Sequence, residues 1–115
     1  GSINMGCLYA DTEVELKGET NAYEFAGGSG FINQAYFCSK CNVRVYNKPA
    51  PEVMEGMVSI PLGCFDDADE LAPKVEIWSE EKLTFLPKYD CVLESFEGNG
   101  IPERLNALLS SLENR

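Results

Sequence analysis

Short apolar stretches separated by turn residues run through most of the chain. Leu8 to Lys17 alternates loosely around Val14 and Leu16, predicting a strand that Gly18 stops. Asn21 to Phe25 predicts a second strand with Tyr23 and Phe25 on one face, and Gly27-Gly28-Ser29-Gly30 predicts a hairpin turn. Ala35-Tyr36-Phe37 and Val43 to Tyr46 predict two strands on either side of Cys38-Ser39-Lys40-Cys41. Pro49 and Pro51 break the chain before a strand over Met54 to Pro61. Gly63 to Leu71 is an acidic loop carrying Asp66, Asp67, Asp69 and Glu70. Further extended pieces follow at Lys74 to Trp78, Leu83 to Leu86 and Cys91 to Phe96. The period then changes: Leu105, Leu108, Leu109 and Leu112 fall at helical spacing behind Pro102, predicting one amphipathic C-terminal helix. Short strands punctuated by turn signals predict a mainly β fold. No internal repeat or linker divides it, so residues 5–115 read as a single domain, and residues 1–4 as an expression scar ahead of Met5.

Composition narrows the function classes. Of the 115 residues 44% are hydrophobic, enough to bury a modest core in one domain. The net charge of −10 disfavours nucleic acid and anionic membrane surfaces as partners. No apolar run reaches the length of a membrane span and no signal-peptide pattern opens the chain, so cytoplasmic residence is the expectation. The acidic loop Asp66 to Glu70 gives an acidic protein-interaction module as a further reading, set against the plain one that charge runs are usually solvated faces.

The chain has five cysteines and no histidine. An odd count without a secretion signal argues against a disulfide framework. Without histidine no Ser-His-Asp or Cys-His pair can form within this chain, and a transition-metal site must rest on thiolates and carboxylates. Cys38 and Cys41 form a Cys-x-x-Cys on a turn between strands, the spacing of a zinc knuckle, which presents two thiolates to one tetrahedral ion. That is half a site. Two readings stand level: ligation of zinc, completed from elsewhere, or two reduced thiols left from an older site. Thioredoxin-like redox chemistry needs the motif at a helix N-terminus in a βαβ unit, which this neighbourhood does not resemble. Cys7, Cys64 and Cys91 are scattered single residues, any of which could complete a site in space.

The ordered set of motifs resembles the glutathione-dependent formaldehyde-activating family, which includes centromere protein V. Tyr36-Phe37-Cys38-Ser39-Lys40-Cys41 with Val43-Arg44-Val45-Tyr46 is similar to the second structural-zinc motif of that family. Val14 to Glu19, Tyr23 and Gly28-Ser29-Gly30 match its upstream strand, Tyr and Gly-rich turn. Val58 to Gly63, Asp66-Asp67 and Pro73 to Ser79 follow its later strands. The resemblance implies antiparallel, β-sandwich-like sheets around zinc, with Cys38 and Cys41 as structural ligands. In the family an upstream Cys-x-Cys pair completes that site, and a Cys-x-Cys-x-x-Cys group holds the catalytic zinc. Neither occurs here, where Cys7 alone precedes Cys38. Asn42 stands at a common Gly, Glu76 at a common His and Phe85 at a common Trp. No catalytic residue carries over.

The resemblance therefore implies a truncated, non-catalytic zinc-binding module. A sheet without the family's N-terminal strands exposes edges, so a homodimer is expected, with two Cys38/Cys41 pairs able to share one zinc. The competing expectation is a carbon–sulfur lyase acting on the glutathione–formaldehyde adduct, with its catalytic zinc ligands supplied elsewhere.

Overall fold

A computed structural model of the chain describes residues 3–98. The C-terminal helix expected behind Pro102 lies outside them. The chain divides into two compact units, Asn4–Ala72 and a second that takes in Ile3 and the chain from Pro73.

The first unit is built on five strands: β1 (Gly6–Ala10), β2 (Thr20–Ala26), β3 (Ile32–Cys38), β4 (Arg44–Lys48) and β5 (Met57–Pro61). They form one antiparallel sheet in the order β1-β5-β4-β3-β2, confirming the mainly β, antiparallel expectation. The β2–β3 ladder runs unbroken from Thr20 opposite Cys38 to Ala26 opposite Ile32. Its hairpin closes through Gly27, whose N–H donates to the Phe31 carbonyl at 3.2 Å, with Gly30 at φ 85°. That left-handed value costs glycine little and a residue with a Cβ considerably more.

The N-terminal strand differs from the expectation. It starts at Gly6 and ends at Ala10, and a 3₁₀ turn over Asp11–Glu13 takes the place of its predicted second half. The reason is its partner. β5 begins only at Met57, after Gly56 turns at φ 74°, so the ladder stops at Ala10 opposite Met57. The Asp11 N–H then donates to the Gly56 carbonyl at 2.9 Å, closing the end. Val14 and Leu16 keep their alternation but have no strand beside them. Among the described residues of this unit the buried apolar ones are Ala35 on β3, Val58 on β5 and Ala50, just past the end of β4. The acidic loop is folded into two 3₁₀ turns, Leu62–Cys64 and Ala68–Glu70.

In the second unit β6 (Val75–Glu76) and β7 (Glu94–Ser95) pair in parallel. Both are shorter than the apolar pattern predicted, and their parallel pairing departs from an all-antiparallel fold. Trp78 ends the extended run because it sits at φ 56° with its N–H on the Gly98 carbonyl at 2.8 Å. Leu83 to Leu86 is a turn, closed by the Leu86 N–H on the Leu83 carbonyl. Phe96 is buried in this unit. Among the described residues no helix is long and apolar enough to cross a membrane.

Candidate zinc knuckle

Cys38 is the last residue of β3, and Cys41 lies in the turn that leads to β4. A β-bulge positions them. Tyr36 stands opposite Tyr46 but Phe37 stands opposite Arg44, so Val45 is an extra residue in β4. Bulges of this kind re-aim the strand end next to them. Past the bulge the Cys38 N–H donates to the Val43 carbonyl at 2.8 Å, and the Asn42 N–H donates to the Cys38 carbonyl at 2.9 Å. The Ser39 N–H reaches the Glu19 carbonyl at 3.1 Å, tying the turn to the start of β2. Asn42 closes the turn at φ 62°. Among residues with a side chain, Asn tolerates that left-handed conformation best, which accounts for an asparagine at a position where the related pattern carries glycine.

This turn feeds hydrogen bonds to sulfur. The backbone N–H of Cys41 and then that of Lys40 point at Cys38 Sγ, with the Cys41 thiol beside them, and together they hold the Cys38 thiol below its ordinary pKa. Donors aimed at a sulfur favour its thiolate, the form that binds metal. Cys38 is half-buried and Cys41 is exposed. The pair thus offers two thiolates on one side of a rigid turn, which fits half of a tetrahedral zinc site.

The other cysteines form no three-ligand cluster with this pair among the described residues. Cys64, exposed, donates its thiol to the Arg44 carbonyl at 3.7 Å. Cys7 lies on β1 opposite Ile60, and burial pushes its thiol pKa up; the Tyr9 hydroxyl opposes that and the Asp67 carboxylate adds to it. Cys91 is half-buried in the second unit. Among the described residues no three His, Cys, Asp or Glu side chains gather where they could hold a metal. The described residues therefore fit a two-thiolate half-site.

Sequence reading did not resolve a polar and aromatic face that Tyr36 and Tyr46 form on the same strands. Their rings stack at 4.3 Å between centroids and 11° between planes. The Tyr36 hydroxyl donates to Gln34 Oε1 at 2.8 Å, and Gln34 Nε2 donates to Glu24 Oε1 at 3.1 Å. Lys48 Nζ lies 5.6 Å from the centre of the Tyr36 ring, within cation–π range. Beyond Gln34 and Lys48 a groove of about 250 Å³ opens, lined also by Asp11, Ile32, Glu55 and Met57. The available signal was alternation: Gln34 and Tyr36 on β3, and Tyr46 and Lys48 on β4, recur at every second residue.

Comparison with known proteins gives one family. The profile described as glutathione-dependent formaldehyde-activating enzyme matches residues 1–81, a stretch that contains all five strands of the first unit, the knuckle, and residues 1–4. No curated protein matches the chain.

Proposed function

The chain belongs to the glutathione-dependent formaldehyde-activating enzyme family, and from that premise we propose that it is a non-catalytic, homodimeric zinc-binding module of the family. Cys38 and Cys41 are its two structural ligands. The observation that carries this reading is the placement of Cys38 at the end of β3 and Cys41 in the turn that the Asn42 N–H closes onto the Cys38 carbonyl at 2.9 Å. Backbone hydrogen bonding from Cys41 and Lys40 also lowers the Cys38 thiol pKa, which favours the thiolate that binds metal. A structural zinc tethers the β3–β4 turn and adds its binding free energy to folding. The sheet of the first unit is one layer of the sandwich-like fold that the resemblance implies.

Two thiolates are half of a closed site. The other two come from a Cys-x-Cys segment of the kind that the family places upstream of this motif, brought to the turn from outside residues 3–98. Elemental analysis of the purified chain, with and without a peptide carrying a Cys-x-Cys pair, tests this. Zinc retention that rises with the peptide and vanishes in Cys41→Ser is the expected result. Retention unaffected by Cys41→Ser would contradict it.

The family's description favours a second reading, a carbon–sulfur lyase acting on the glutathione–formaldehyde adduct, with Lewis-acid zinc as the activating group. For this chain the reading requires the catalytic ligands to come from elsewhere too, since the described residues gather no such set. The two readings separate on whether turnover of the adduct appears when the missing cysteines are supplied.

A further inference from the structure

β2 is an edge strand of the five-stranded sheet. Its backbone faces two ways in strict alternation. The N–H of Gly27 bonds to Phe31 and the carbonyl of Glu19 accepts from Ser39, so odd-numbered residues turn their polar groups toward β3. Thr20, Ala22, Glu24 and Ala26 therefore turn theirs outward, and among the described residues nothing bonds to them. The strand is exposed along most of its length, with Tyr23 at 64% and its ring stacked on Phe25 at 6.3 Å. The usual edge protections are missing: β2 has no Lys, no Pro and no bulge, and Glu24 is its single charge.

We propose that β2 pairs antiparallel with β2 of a second copy, about a two-fold axis at Tyr23, joining two sheets edge to edge. The strand is self-complementary in this register. Ala22 falls opposite the partner's Glu24, and Thr20 opposite the partner's Ala26, so every outward-facing residue meets an outward-facing residue. Tyr23 meets its own copy as the close, non-hydrogen-bonded pair, and the Tyr23–Phe25 stripes join into one apolar strip. The charge pattern fits as well, because each Glu24 faces an alanine rather than the other Glu24. The opposite edge, β1, is shorter, five residues against seven, and runs directly into the 3₁₀ turn over Asp11–Glu13.

This gives an interface to the dimer of the proposed function without relying on its zinc. Cys38 lies opposite Thr20, at one end of β2, so the two-fold axis sends the two knuckles to opposite corners of the joined sheet. Each knuckle is then completed separately, and the two Cys38/Cys41 pairs do not share one ion.

Sedimentation equilibrium of the full chain in chelator-containing buffer tests the proposal. Wild type is expected as a dimer without zinc. Ala22→Glu, which sets two carboxylates against the partner's Glu24 on both sides of the axis, is expected to weaken it about tenfold. Ala22→Lys, which sets an ammonium there, leaves the dimer at least as tight. Residue-level amide exchange gives an independent reading: the Ala22 and Glu24 amides should slow as concentration rises. A monomer in chelator, a dimer that needs zinc, or Glu and Lys variants that behave alike would each overturn the β2 interface. The zinc reading fails separately, on Cys38 and Cys41.

Discussion

The Asn42 N–H closes onto the Cys38 carbonyl at 2.9 Å while Asn42 itself holds a left-handed backbone at φ 62°. The knuckle's shape thus depends on a residue that contributes no sulfur. Asn42→Val, a β-branched side chain in the left-handed region, is expected to cost about 1–2 kcal/mol. Asn42→Gly should be neutral or slightly stabilising, and thermal unfolding of both variants measures the difference. Equal melting temperatures would show that the turn relaxes out of this conformation.

Cys38 and Cys7 should differ in reactivity. Hydrogen bonds from the turn lower the Cys38 pKa, whereas burial raises that of Cys7. The thiolate is the nucleophile, so iodoacetamide at neutral pH should alkylate Cys38 first. Zinc should protect Cys38 and leave the Cys7 rate unchanged. Peptide mapping over a labelling time course resolves the two sites, and equal rates would contradict the thiolate assignment.

The Tyr36–Tyr46 stack should behave as a coupled pair. A double-mutant cycle with Tyr36→Leu and Tyr46→Leu is expected to give a coupling of about 0.5–1.5 kcal/mol. Tyr36→Phe keeps the stack and removes only the bond to Gln34, so its loss should be smaller.

In the second unit Glu76 is held by Lys82 Nζ at 2.9 Å and by the Ser95 hydroxyl at 2.9 Å. These partners, Lys82 first, depress its carboxyl pKa below the ordinary value, so the folded form favours the carboxylate. Such a group contributes stability above the unfolded carboxylate pKa and loses it as pH falls through the folded one. Glu76→Gln should therefore lower stability at neutral pH, and the difference should vanish once the Glu76 carboxyl of the wild type is protonated in both the folded and the unfolded chain. Urea midpoints measured down the acid range test that convergence.

Strand alternation made much of the first unit legible from sequence: β2, β3, β4 and β5 fall where Tyr23/Phe25, Tyr36/Phe37, Val45/Tyr46 and Val58/Ile60 predict them. Its limits were set by partners rather than by local preference. Val14 and Leu16 alternate like strand residues, but β5 is too short to pair with them. Val75 and Ile77 do the same, and Trp78 turns left-handed before the ladder can lengthen. The Cys-x-x-Cys was visible as half a site from its spacing. The hydrogen bonds that tune Cys38 were not, because they come from backbone N–H groups of the turn, which no residue type announces.

Cobalt(II) titration of the chain with the Cys-x-Cys peptide present, followed by the thiolate-to-metal charge-transfer absorption above that of the peptide alone, tests the central claim most directly, because it reports sulfur ligation as well as binding. Wild type should develop the band at pH 7, and Cys38→Ser and Cys41→Ser should each lose most of it, while Cys7→Ser, Cys64→Ser and Cys91→Ser leave it intact. A band that survives loss of Cys38, or no band in the wild type, would show that this turn is not a metal site.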